Sequence, residues 1–159
     1  MTAVSLKNNL MHSRAAYMHA LTALPSPDDL RAGTIRQNGY EFSRADQIQS
    51  QVIELGWAFF VRYEGCFENF IKVQLGGIPE KFRLEKWLIE HNVQIPSDYV
   101  GSFKLYRDIR NSLHHDDGAS IDGSSGTEIH LMPEHMERFF DLFCWIGKQV
   151  EDVVGRQKI

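Results

Sequence analysis

Apolar positions recur at helical spacing along most of this chain, and proline or glycine marks each break between the runs. Leu6, Leu10, Tyr17, Leu21 and Leu24 share one stripe and are followed by Pro25-Ser26-Pro27, so a first helix is predicted over residues 3–24. A polar loop containing Gly33, Asn38 and Gly39 is expected next. The longest pattern then begins: Ile48, Val52, Leu55, Phe59, Tyr63, Cys66, Phe70 and Val73 advance by three or four positions without interruption. Ser43, with Asp46 three residues on, is predicted to cap this helix, and Gly76-Gly77 to end it after about 30 residues. Trp57, Phe60, Phe67 and Ile71 widen its apolar face, which predicts a central helix contacted from more than one side.

Pro79 opens a short third helix carrying Phe82, Leu84, Trp87 and Leu88, which ends before Pro96. Ser97 and Asp98 cap a fourth over about residues 98–116, closed by Asp116-Asp117-Gly118. The stretch through Gly126 reads as loop, and residues 128–132 as a short extended piece. Pro133 begins a last helix with Met136, Phe139, Phe140, Phe143, Ile146, Val150 and Val153 on one face. The expected fold is therefore all-α, a bundle of about five helices with one long central helix. It forms a single domain over residues 1–159, with its core in about 43–155.

Composition agrees with a packed domain and restricts its partners. Of 159 residues, 43% are hydrophobic and 11% aromatic, enough for a substantial core. The net charge of -4 gives no broad basic surface, so any chemistry on nucleic acid has to be local. The first ten residues lack the basic and apolar segments of a signal peptide, and no apolar run approaches the ~20 residues of a membrane span. A cytoplasmic protein without membrane contact is expected, with Cys66 and Cys144 as buried free thiols.

The fourth helix carries the candidate chemistry. At 100° per residue, Val100, Phe103, Tyr106, Ile109 and Leu113 fall on one broad arc with Leu105 at its edge, and Arg110 falls inside that arc. A guanidinium set in an apolar stripe requires a partner or a cleft. Glu64 and Glu68 on the long helix are the supporting carboxylates expected for it. Asn111 follows Arg110, and His114 and His115 stand at the helix end.

Arg110, Asn111, three further residues and His115 resemble the signature of the HEPN superfamily, whose motif is an arginine, a polar residue and a histidine several positions on. These are small all-α domains of toxin–antitoxin, abortive-infection and CRISPR-associated systems. Arg14 and His19 share the spacing, but Ala15 occupies the polar position, so that match reads as coincidence. The order of a long aromatic-rich helix with an acidic residue, a short helix, the motif helix and a closing helix extends the resemblance over about residues 43–155.

The resemblance implies a metal-independent endoribonuclease that works as a homodimer through the motif helix, with RNA as substrate and an antitoxin or effector protein as a further partner. Arg110, Asn111 and His115 would be catalytic, without metal or other cofactor. His114, Arg107 and Lys104 are candidate contacts to the RNA backbone, with a solvated surface role as the alternative for Lys104 and Arg107. The spacing favours His115 over the adjacent His114 as the working imidazole, and both stay in view. One alternative is a HEPN-like interaction module without catalysis that binds a protein partner or nucleotide. Another is a metal hydrolase using His114, His115, His130 and His135 with Asp116 or Asp117, against which stands the lack of a His-x-x-x-His or Glu-x-x-His pair on a helix.

Overall fold

A computed structural model describes residues 1–77, 83–115, 120–121 and 128–159; for residues 113–115, 120–121 and 128–129 it describes the backbone alone. Five α-helices account for most of the described residues: α1 (Ala3–Thr22), α2 (Ala45–Leu75), α3 (Leu84–Glu90), α4 (Ser97–His115) and α5 (Pro133–Gln157). The all-α bundle with a 31-residue central helix is thus as the periodicity predicts.

Local chemistry explains several of the boundaries. Thr2 and Ser5 cap α1 reciprocally: the Ser5 N–H donates to Thr2 Oγ1 at 3.1 Å and the Thr2 N–H to Ser5 Oγ at 2.7 Å. The helix stops at Thr22, two residues earlier than expected, and residues Pro27–Ala32 form a 3₁₀ turn. The predicted polar loop contains a small antiparallel hairpin, β1 (Ile35–Gln37) with β2 (Tyr40–Phe42), in the register Ile35 to Phe42 and Gln37 to Tyr40. Its two-residue turn is Asn38-Gly39, both at positive φ (52° and 78°), the conformation that favours Asn-Gly between paired strands.

The expected Ser43 cap of α2 is corrected. Arg44 holds the cap position, and Gln47 makes the reach-back: its Oε1 accepts from the backbone N–H groups of Ser43 (2.8 Å) and Arg44 (3.0 Å). Only the reach-back half of a capping box forms, and no cap side chain bonds the first N–H groups inside the helix. The C-terminus follows expectation, with Gly76 left-handed at φ 73°. Pro79 and Phe82 of the predicted third helix lie outside the described residues, as does the Asp116-Asp117-Gly118 terminator. A second short pair, β3 (Ser120–Ile121) with β4 (Glu128–Ile129), joins two segments of which only the latter was read as extended. At α5, Pro133 takes the first helical position, and His135 Nδ1 accepts from the Met132 N–H at 3.1 Å.

Helices α1, α2 and α5 pack on one another, and α4 packs on α5. The centre is aromatic. Phe67 of α2 stacks on Phe143 of α5 with centroids 4.4 Å apart, Phe60 meets Phe139 edge-on at 5.0 Å, and Tyr106 of α4 packs edge-on against Phe143 at 5.2 Å. The most buried side of α2 is therefore Phe60, Tyr63, Phe67, Phe70 and Ile71, while Val73, counted in the predicted stripe, is 55% exposed. Arg14 spans from α1 to α5 as a bidentate partner of Glu137 (2.7 and 2.8 Å) and lies over the Phe140 ring, a structural use of that arginine.

Gly56 marks the closest approach to α2. A Cβ there would overlap the carbonyl oxygen of Leu131 and lie 2.9 Å from its Cβ, and Leu131 is fully buried. Backbone has to move to relieve this, so Gly56→Ala is expected to cost more than the roughly 1 kcal/mol alanine gains in helix propensity. A net loss of about 1–2 kcal/mol, read from the urea midpoint at unchanged slope, is the expected outcome.

Candidate functional site on the fourth helix

The stripe that buries α4 is rotated from the one the sequence suggests. Phe103, Tyr106 and Ile109 are buried as expected, but Ser102 and Ser112 are buried beside them and Val100 is 58% exposed. Ser102 lies against α5, where Arg138 Nε donates to its Oγ at 3.3 Å. This centres the buried arc toward Ile109 and leaves Val100 outside it. Arg110 consequently lies on the rim of the arc, with 36% of its side chain exposed.

From that rim Arg110 reaches α2. Its Nη2 donates to Glu68 Oε1 at 2.8 Å, and its Nε lies 3.3 Å from Glu64 Oε1. The two carboxylates are four residues apart on α2 and so face the same way, which lets one guanidinium meet both. Glu64 is nearly buried and also accepts from the Tyr106 hydroxyl at 3.3 Å. Tyr106 and Arg110, four residues apart on α4, thus face Glu64 and Glu68, four apart on α2. Burial, helped by the Glu64 carboxylate, drives the Tyr106 phenol well above its ordinary range, so it remains a donor at physiological pH.

The arrangement has a clear chemical character. Nε and Nη2 lie on the same edge of the planar guanidinium, and that edge is turned to the carboxylates. The outer fork, formed by Nη1 and the second N–H of Nη2, has no partner among the described residues. Such a fork matches two oxygens of a phosphate or carboxylate. Asn111, next along the helix, is exposed. His114 and His115 belong to the last turn of α4, and their side chains lie outside the described residues. Tyr106 is the participant that pattern reading assigned only to the core; a tyrosine spaced four residues before a semi-buried arginine was the available signal.

The other cations on α4 are already paired. Lys104 Nζ meets Asp108 at 3.2 Å one turn away, and Arg107 is bonded to Glu85 of α3. Of the histidines proposed for a metal site, His130 is exposed and His135 caps α5, while His114, His115, Asp116 and Asp117 fall outside the described side chains. No group of three or more His, Cys, Asp or Glu converges among the described residues. Cys66 and Cys144 are free thiols, half-buried rather than fully buried, and burial pushes the Cys144 thiol up to about 11. No described helix is long and apolar enough to cross a membrane. Comparison with protein-family models, with curated proteins and with solved structures finds no match for this chain.

Proposed function

We propose that this protein is a metal-independent endoribonuclease of HEPN type, acting as a homodimer in which the α4 ends of two copies face one another. The observation that carries the reading is Arg110 itself. One edge of its guanidinium is held by Glu64 and Glu68, the other has no partner among the described residues, and the helix ends one turn later in His114 and His115.

The chemistry needs a base for the ribose 2′-OH, an acid for the departing 5′-oxygen and a cation for the charge on the phosphorane. In the proposed reaction His115 moves the protons, since an imidazole works in both senses near neutral pH. The 2′-oxygen attacks phosphorus and the bond to the 5′-oxygen breaks. The products are a 2′,3′-cyclic phosphate and a 5′-hydroxyl. Arg110 stabilises the phosphorane oxygens with its outer fork, and Asn111 orients the phosphate or His115. His114, Lys104 and Arg107 touch the flanking backbone, the last two after exchanging their present acidic partners. A toxin–antitoxin or phage-defence setting, with an antitoxin or effector as partner, and a cytoplasmic location belong to the same proposal.

The test is incubation of the purified protein with total RNA in excess EDTA, with end-group analysis of the fragments. The expected result is cleavage that leaves cyclic phosphate ends on RNA and leaves DNA intact, because DNA lacks the internal nucleophile. RNA that stays whole at all protein concentrations overturns the proposal. Cleavage abolished only by the chelator transfers the assignment to metal chemistry. The double pairing of Arg110 also favours a second reading, in which the arginine only ties α4 to α2 and the domain is a non-catalytic interaction module.

A further inference from the structure

If Arg110 meets a phosphate, as the proposed function has it, its charge has already been matched. Glu68 accepts from Nη2 at 2.8 Å, so the Arg110–Glu68 pair is neutral by itself, whatever surrounds Glu64. Lys104 and Arg107 are likewise opposed by Asp108 and Glu85. What Arg110 offers a ligand is therefore geometry, a two-donor fork, without surplus charge.

This distinguishes two kinds of phosphate. The two unbridged oxygens of an internal phosphodiester share one negative charge, whereas a terminal phosphate carries about 1.5 to 2 at neutral pH. A solitary guanidinium would hold the terminal group more tightly through the added Coulomb attraction. With Glu68 on the opposite edge, the added charge meets a neutral pair and gains little. We propose that Glu68 is a specificity-determining residue: by cancelling the charge of Arg110, it removes the preference for terminal phosphates and lets internal phosphodiesters compete. Tyr106 and Glu64 support this from beneath by keeping the same guanidinium edge turned inward.

The experiment titrates the full chain at pH 8 with two probes, the dinucleotide dTpdT and thymidine 3′-monophosphate. Binding is followed through the Arg110 Nε–H signal in ¹H–¹⁵N spectra, assigned by its loss in Arg110→Lys. The expected result is that dTpdT binds at least as tightly as the monophosphate. In Glu68→Gln the monophosphate should gain about tenfold and dTpdT about threefold or less, as removing one negative charge beside the fork predicts. A parent preference for the monophosphate above about fivefold, binding of neither probe, or equal shifts of both probes in Glu68→Gln overturns the proposal. Because dTpdT has no 2′-OH, binding is read separately from cleavage. A protein that binds dTpdT and leaves RNA whole ends the nuclease reading and leaves this one standing; one that cuts RNA but prefers the monophosphate does the reverse.

Discussion

Arg110→Ala is expected to lower RNA cleavage by about a hundred- to a thousandfold, the usual loss when one donor to a developing oxyanion is removed. It should also lower stability, because Glu64 stays buried without the guanidinium beside it. Breaking a fully buried ion pair costs about 3–5 kcal/mol. Arg110 is 36% exposed, so solvent screening reduces the expected loss to about 1–2 kcal/mol. The two effects have different remedies, and this separates the catalytic from the structural reading. Adding Glu64→Gln to Arg110→Ala removes the buried negative charge while the Tyr106 hydroxyl keeps an amide oxygen to donate to. The double variant should regain most of the stability and none of the activity. Urea unfolding and a fluorogenic RNA substrate in EDTA read both arms. Activity that returns with stability would show that Arg110 serves only to hold the helices, and His115→Ala provides the comparison, with loss of cleavage of similar size.

How far the sequence reveals this site depends on the scale of the signal. The α2 pattern runs for 31 residues and ends at a left-handed Gly76, and a periodicity that long leaves little room for another fold. The pairing of Arg110 with Glu64 and Glu68 also follows from sequence, because an arginine in an apolar stripe demands an acid and α2 offers two at i and i+4. Finer features depend on contacts that only the assembled bundle supplies. Val73 and Val100 are apolar and in phase, yet lie outside their buried arcs, since the arcs are centred by which neighbours approach closest. The α2 cap falls at Arg44 rather than Ser43, and Gln47 reaches back to the N–H groups of both. The Asn38-Gly39 turn was legible in principle, but strands of three residues are too short for alternation to register. Tyr106 looks like core from its spacing, and only the position of Glu64 across the helix interface gives its hydroxyl a task.

The buried phenols set the second large effect, a steep loss of stability in alkali. Burial raises the Tyr17 phenol to about 12 and puts Tyr63 and Tyr106 higher still. In the unfolded chain all three ionise near 10. Below that value folded and unfolded states hold the same phenolic protons, so these groups do not alter stability with pH. Above it the unfolded chain releases protons that the folded chain keeps, and stability falls as pH rises. Each phenol contributes about 1.4 kcal/mol per pH unit, so the three together give a slope of about 4 kcal/mol per unit between pH 10 and about 12. Unfolding followed by tryptophan fluorescence through that window should show it. Tyr17→Phe and Tyr63→Phe each remove one phenol and should flatten the phenolic part of the slope by about a third. The Tyr17 and Tyr63 hydroxyls are buried with no hydrogen-bond partner among the described residues, so these variants should be as stable as the parent at pH 7, or up to about 1 kcal/mol more stable. Tyr106→Phe should flatten the alkaline slope equally but lose about 1 kcal/mol at pH 7, because its hydroxyl donates to Glu64. A stability profile level up to pH 12 would contradict the burial of the three phenols, and equal neutral-pH behaviour in all three variants would contradict the assignment of a polar task to Tyr106 alone.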